Sequence, residues 1–492
     1  MPENVTARRE QQVIPTYIPK EPNAMPMFFE KKPYQGASGR LYPLPYSDGI
    51  TDEKKDVSYE VYTLENEYIQ TQVLPAIGGK ILSGYDKIGH YDLSTATGSS
   101  SPHWWVWPAH GSSGASSSNW PQHHPPHHLP ASGGVSGRKS RRQQDSVDRR
   151  GGPLLSDEGH GRYHRGTGPQ LHQGKNSVYN RTNLPQIFMW WANLAVAVNE
   201  SYRTIFPPDV EWVNDHDRRA VLQWPIAKGV YKSARPFDYG DGTDLSLYDS
   251  VKVPSSFLIS QGQSDMDFVA GYDGGLQKAL PPSPTTTLPP ARKCGHGDHG
   301  DFGEMWCSNL TDEDGPYIEL MTGVYTDNQP DLHGSPPLRP RSLSSTGIPS
   351  GISAMMKNAT IDAAMNLEQR GEMVFLGFNV TGSFPNARIT VRKGEEVLFT
   401  ETADMTPAAS WCKELALNED AANLTATLTD ENGSVLVSYK PTSGDRSSPS
   451  RFAPPVKRPA SMTPWRSCTS TASIWSSTSS TTLTPATTIW KR

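Results

Sequence analysis

The sequence predicts a mainly β protein: a large multi-stranded sandwich or barrel followed by a small β-sandwich. Three observations lead there. Residues 58–83 alternate β-branched and aromatic side chains with polar ones around Gly78-Gly79, the period-two pattern of half-buried strands, and the texture returns over 176–280 and 302–331. Helical periodicity is scarce along the whole chain. Residues 356–440 then carry the runs FLGFNV, ARITVRKGEEVLFTE, LTATLTD and SVLVSYK, with turns expected at Phe384-Pro385-Asn386 and Glu431-Asn432-Gly433. That length suits a separate small sandwich, read as a structural or spacer module.

The chain's 492 residues are enough for two or three domains with their own cores. Only 35% of them are apolar, while 42 Gly and 43 Pro point to many turns and to stretches unlike folded protein. Lys+Arg 46 against Asp+Glu 51 leaves a net charge of −5, which makes no case for nucleic acid or an anionic membrane as partner. The four cysteines (Cys294, Cys307, Cys412, Cys468) form no CxxC pair and no disulfide framework. The first residues lack the apolar stretch of a signal peptide, and no run approaches the roughly 18 apolar residues of a membrane span. A cytoplasmic location is the expectation.

Five stretches break the pattern: 94–118, 125–174, 281–300, 332–355 and the tail over 441–492. They are rich in Ser, Pro, His and Arg, and they start and stop abruptly against well-patterned neighbours. Disordered linkers would explain the composition. Fifty structureless residues inside a compact domain are nonetheless unusual. Back-translation offers another reading, text shifted by one frame. Tyr163 to Gly174 can then encode ITVEPGRSYIKV, an alternating strand. From the end of Pro282 to Gly297 the shifted text can encode IANHHIAPGKKMWTWG, Pro340 to Ala354 KEFEQYWYPIRDIG, and the end of 102–118 GGVEF. Pro464 to Thr478 can encode MEELYINGLHLEQY, an amphipathic helix. Frame-shifted text is the preferred reading.

The in-frame blocks resemble a bacterial family catalogued as domain of unknown function 5107. The carrying residues are Val13 to Tyr17 (VIPTY), Met27 to Lys31 (MFFEK), Asn119 to His124 (NWPQHH), Tyr179 to Asn193 (YNRTNLPQIFMWWAN), Phe206 to Val210 (FPPDV) and Asp301 to Asp331. The resemblance covers about residues 10–355 and implies a galactose-mutarotase-like β-supersandwich there. It also implies a small β-sandwich over 356–440 and, over 441–492, a remnant of the helical repeats that often follow such domains.

The same resemblance implies a sugar as ligand and an open groove on one sheet as its site. Opening a pyranose at the anomeric carbon needs one group to take the anomeric proton and another to protonate the ring oxygen, and a carboxylate and a histidine suffice. Glycoside cleavage needs two carboxyl groups. Glu319, in Gly315-Pro316-Tyr317-Ile318-Glu319-Leu320, looks similar to the mutarotase strand that carries the catalytic glutamate. The following Asn328-Gln329-Pro330-Asp331 makes Gln329 and Asp331 candidate sugar contacts. A lone strand carboxylate facing solvent would look the same.

His123 is the candidate acid partner, with Trp120 and His124 beside it as a stacking face and a hydroxyl ligand. The resembling pattern carries a glutamate just before Asn119, inside GGVEF, where this chain has Ser116-Ser117-Ser118; as translated the chain lacks that carboxylate. Trp191 and Asn193 lie on the strand where mutarotases place a His-x-x-x-Asn contact, with tryptophan in place of histidine, and alternation lets only one of Trp190 and Trp191 face a groove. Asp209, after Phe206-Pro207-Pro208, is a candidate hydroxyl binder or a surface turn. His127-His128 and His296-Gly297-Asp298-His299 look ligand-like, but both fall in the suspect text; neither metal nor cofactor is expected.

The sequence therefore predicts a carbohydrate-active protein acting at an anomeric centre, as a glycoside hydrolase or an aldose 1-epimerase-like enzyme, inactive as translated if the missing glutamate is essential. The alternative is a non-catalytic carbohydrate-binding protein.

Overall fold

The structure, a computed structural model, describes residues 5–18, 51–77, 79–92, 179–180, 183–185, most of 190–280, 301, 303–304, 311, 314–324 and 355–441. Further strands are described as backbone at 117–119, 133–140, 143–152, 157–166, 172–180, 282–283, 291–296, 333–335 and 340–347. Every pairing among the described strands is antiparallel. The mainly β, multi-sheet sandwich architecture expected from the sequence is the one found.

The chain opens with a five-stranded sheet in sequential order, led by a twelve-residue ladder that pairs Thr6–Tyr17 with Lys54–Glu65. The next turn is set by Asn66, whose side-chain oxygen accepts from the Tyr68 and Ile69 amides at 3.0 and 2.9 Å, an arrangement that asparagine supplies locally.

A seven-stranded sheet forms the centre. Its spatial order is Val221–Gln223, Trp212–Asp215, Ser255–Ile259, Ala291–His296, Tyr317–Val324, Trp190–Ala197, Ser117–Asn119. One face supplies Leu222, Val213, Phe257, Ile259, Ile318, Leu320 and Val196 to a single apolar cluster. Phe206, Trp224 and Phe257 interlock there, with ring centroids 4.8 and 5.6 Å apart. Burying Ile318 and Leu320 stabilises by about 1.5–3 kcal/mol each. A one-residue slip would expose both and drive Glu319 inward, so the register is strongly held.

Gly271 shows how tightly this core closes. A Cβ there would lie 1.6 Å from the Tyr202 hydroxyl oxygen, and Tyr202 is fully buried. The strand Ala270–Asp273 can pass Tyr202 only because position 271 has no side chain.

The loop over this cluster is pinned by Arg203, whose guanidinium pairs with Asp244 and donates to the Ser246 hydroxyl at 3.2 Å. Burial alone would push the Asp244 carboxyl up. Hydrogen bonds from Ser246 and Arg203, with the guanidinium charge, outweigh it and hold the group below the ordinary carboxylate range.

Residues 358–439 build a two-sheet sandwich. One sheet runs Asn358–Ala359, Ala363–Arg370, Met373–Val380, Trp411–Leu415; the other runs Glu396–Met405, Phe384–Lys393, Thr425–Thr429, Val435–Tyr439. Its apolar cluster is drawn from Ala363 to Tyr439, with Met266 packed against it. The turn at Glu431-Asn432-Gly433 forms, with Gly433 at φ 84° and Asp430 accepting from the Asn432 and Ser434 amides. The expected turn at Phe384-Pro385-Asn386 does not interrupt the chain. These residues begin the strand Phe384–Lys393, and a bulge with Asn386 at φ 52° absorbs the irregularity.

Strands also occur in the stretches whose sequence lacks strand patterning. Several of them carry strands: 133–140, 143–152, 157–166, 172–180, 282–283 and 340–347 make a six-stranded sheet, and 291–296 is an interior strand of the central one. Their backbone follows a strand plan that their side chains do not declare. In the sequence shifted by one frame, ITVE and IKV of ITVEPGRSYIKV fall within strands 157–166 and 172–180, and PGRSY falls between them. The KKMWTW run likewise falls about where strand 291–296 lies. In backbone register, position 292 stands between Ile259 and Thr322, both buried.

Three outcomes follow. Resequencing the coding DNA across codons 90–176, 278–302, 330–356 and from 440 onward should reveal compensating insertions and deletions; an unaltered reading would end the frame-shift account. Gly271→Ala should lower stability by about 1–3 kcal/mol or more in urea unfolding, since a buried tyrosine must move. The depressed Asp244 carboxyl contributes stability that is fully present above its ordinary value and lost as pH falls from there through its lowered one. Arg203→Gln should therefore flatten the fall in unfolding free energy below about pH 5.

Candidate functional site

Glu319 owes its position to the turn before it. The Asp314 amide donates to the Thr311 carbonyl at 2.9 Å, the Thr311 hydroxyl donates to the Gly315 carbonyl at 2.7 Å, and Gly315 takes a left-handed φ of 86°. Glycine meets that conformation without strain. The Val198 amide donates to the Pro316 carbonyl at 3.1 Å, which docks the emerging strand beside Trp190–Ala197. Asp314 is an exposed member of this turn.

From there alternation decides the rest. Ile318 and Leu320 enter the core, and Glu319 emerges half-buried on the opposite face. In register Glu319 lies across from Ala195, and Asn193 lies across from Met321 on one side and Ser117 on the other. Asn193 and Glu319 are thus diagonal neighbours, and the Asn193 Nδ2 amide donates to Glu319 Oε2 at 3.3 Å. Asn193 is 6% exposed, and its Oδ1 has no hydrogen-bond partner. Ala195 and Met321, both buried, stand across from Glu319 and Asn193 on that face. Trp190 is fully buried on the core side, beside Thr322; its indole Nε1 and the Thr322 hydroxyl also lack partners.

The structure thus joins two candidates, Glu319 and Asn193. Trp191 is in register with Asn119 and Gly323 by its backbone. Asp209 is buried elsewhere in the fold, accepting from the Ser264 hydroxyl at 2.7 Å and the Asp265 amide at 3.2 Å. Burial, with the Asp209 charge added, pushes the Tyr439 phenol up. Asp209 therefore ties the 264–265 turn down beside the small sandwich. Trp120, His123, His124, Gln329 and Asp331 lie outside the described residues.

One residue of this face was not anticipated, Met321, although it was legible two positions beyond Glu319 on the same strand. Position 117, where the resemblance puts a glutamate, is in backbone register with Asn193. Chemically, the pair offers one carboxylate able to take or give a proton and one amide that fixes its orientation. Glycoside cleavage needs a second carboxyl group, and position 117 faces Asn193 with a serine.

Among the described residues, no group of three or more His, Cys, Asp or Glu could hold a metal ion, and no helix is long and apolar enough to cross a membrane.

Residues 358–439 match the family described as YphG-like protein, second domain. A TPR-domain containing protein from Parabacteroides distasonis is similar at 15% identity and a TM-score of 0.58, over 72% of this chain and 57% of its own. The chain thus spans little more than half of that protein's length, and the likeness is one of fold. The Slr1438 protein from Synechocystis matches at 11% identity and TM-score 0.43, over 59% of this chain and 95% of its own. A galactose mutarotase related enzyme from Lactobacillus acidophilus matches at 9% and 0.41, over 59% and 98%. The matched small sandwich and the shared β fold are what this chain has in common with known proteins.

Proposed function

We propose that the chain is a carbohydrate-active protein of the domain of unknown function 5107 type, acting at a sugar's anomeric centre through Glu319. The observation that carries this reading is the Asn193–Glu319 pair: a half-buried carboxylate, held by a buried amide, on the face of the central sheet turned away from the core. Glu319 serves as the proton-transfer group and Asn193 orients it. His123 is the acid partner for ring opening, with Trp120, His124, Trp191, Gln329 and Asp331 as sugar contacts. The ligand is a neutral mono- or oligosaccharide. Metal plays no part, and the protein works in the cytoplasm.

A second reading has its own support. Ser116-Ser117-Ser118 stands where the resembling pattern carries a glutamate, which leaves one carboxylate at the pair and favours sugar binding without turnover.

Ser117→Glu separates the two. Its backbone lies one strand from Asn193 and two from the Glu319 strand, about 10 Å, a span suited to two carboxyl groups flanking a glycosidic bond. Release of p-nitrophenol from aryl glycosides by Ser117→Glu, abolished by adding Glu319→Gln, is the result expected of a hydrolase. Faster optical rotation change of fresh aldose solutions, with no aglycone released, marks an epimerase. Binding without either, in both forms, leaves the recognition module.

A further inference from the structure

The open side of the small sandwich is built in an unusual way. Glu396–Met405 and Trp411–Leu415 are the terminal strands of their respective sheets. Directly opposed residues of neighbouring strands share a face. Phe399 stands opposite Val391, Glu401 opposite Ile389, Trp411 opposite Phe378 and Lys413 opposite Leu376, and all four of these partners are fully buried core residues. Phe399, Glu401, Trp411 and Lys413 are therefore inward-facing positions that line the mouth between the sheets. A bulge at Leu398, where the register shifts, sets the aim of Phe399.

These four side chains are arranged around one carboxylate. The Trp411 indole Nε1 donates to Glu401 Oε1 at 3.1 Å, and the Lys413 ammonium donates to Oε2 at 2.6 Å. The ammonium also lies 5.4 Å from the Phe399 ring centre. The Phe399 and Trp411 rings are 6.4 Å apart and tilted by 42°, and Phe378 backs Trp411 at 6.1 Å. Both rings are half-buried, and the Lys413 and Glu401 side chains are 46% and 33% exposed.

We propose that this rim is a second carbohydrate-contact site, which takes the apolar face of a neutral pyranose against Trp411 and Phe399 and its hydroxyls against Glu401 and Lys413. It does not depend on the role given to Glu319. The rim's charges cancel, so a neutral ligand fits better than an ionic one. Lys413 has two ammonium hydrogens and Glu401 further lone pairs left after their mutual bond. The rings are held at fixed tilt by the indole bond and by Phe378, so contact costs little ordering. Inward-facing charge on a terminal strand also discourages pairing with other chains. That purpose alone requires neither the indole bond to the same carboxylate nor a cation over a phenyl ring.

The test is native affinity electrophoresis of the full chain in gels containing xyloglucan, laminarin, galactomannan or hydroxyethylcellulose. Retardation is expected in at least one gel, weakened about tenfold or more in Trp411→Ala, reduced in Glu401→Gln and Lys413→Gln, and retained in Glu319→Gln. The two polar variants leave both rings in place and decide the matter if Trp411→Ala does not fold. Unretarded migration in all four gels overturns the proposal. So does retardation that all three rim variants keep, or that Glu319→Gln alone removes; the last result would assign sugar retention to the central sheet instead. A rim that serves only to prevent pairing would instead show unchanged migration, with dimers when Glu401 and Lys413 are both replaced by valine.

Discussion

The strand Tyr317–Val324 is the constraint on which the candidate site depends. Its odd and even positions do opposite work. Ile318 and Leu320 join the central apolar cluster, and that burial fixes which way Glu319 faces. The carboxylate is aimed by the core rather than by any loop, and Asn193 on the adjacent strand is aimed in the same manner. Sites built on strands hold their groups more closely than sites built on flexible connections.

Much of this was legible in the sequence. Alternation around Glu319 declared a strand, and the Trp190-Trp191 pair declared one buried face. The 358–439 sandwich was legible for the same reason: FLGFNV and LTATLTD each carry the period of two, and Gly433 sits where a left-handed residue is needed. The pairing of Asn193 with Glu319 was not legible. It joins residues 126 apart in the chain, and only register brings them together.

Elsewhere the reading failed for identifiable reasons. The Phe384-Pro385-Asn386 segment has the composition of a turn, but a bulge let the strand run through it. Asp209, read as a candidate hydroxyl binder or a surface turn, is buried and accepts from Ser264 and Asp265. Strands 133–180 and 291–296 contradict their own composition, since GGVSGRKS and ARKCGH offer neither alternation nor apolar surface.

The ladder between Thr6–Tyr17 and Lys54–Glu65 has a kinetic consequence. Thr6 meets Glu65 and Tyr17 meets Lys54, so even its nearest rung closes a loop of some three dozen residues. The central sheet reaches further still, from Ser117 to Val324. The entropy of closing such loops is spent before any contact repays it, which places this chain among slow-folding topologies. On a ribosome emitting residues in order, the first strand must wait for its partner with its hydrogen-bonding edge uncovered. Its Arg8, Arg9, Glu10 and Pro15 are the residue types that keep an uncovered edge from finding the wrong neighbour.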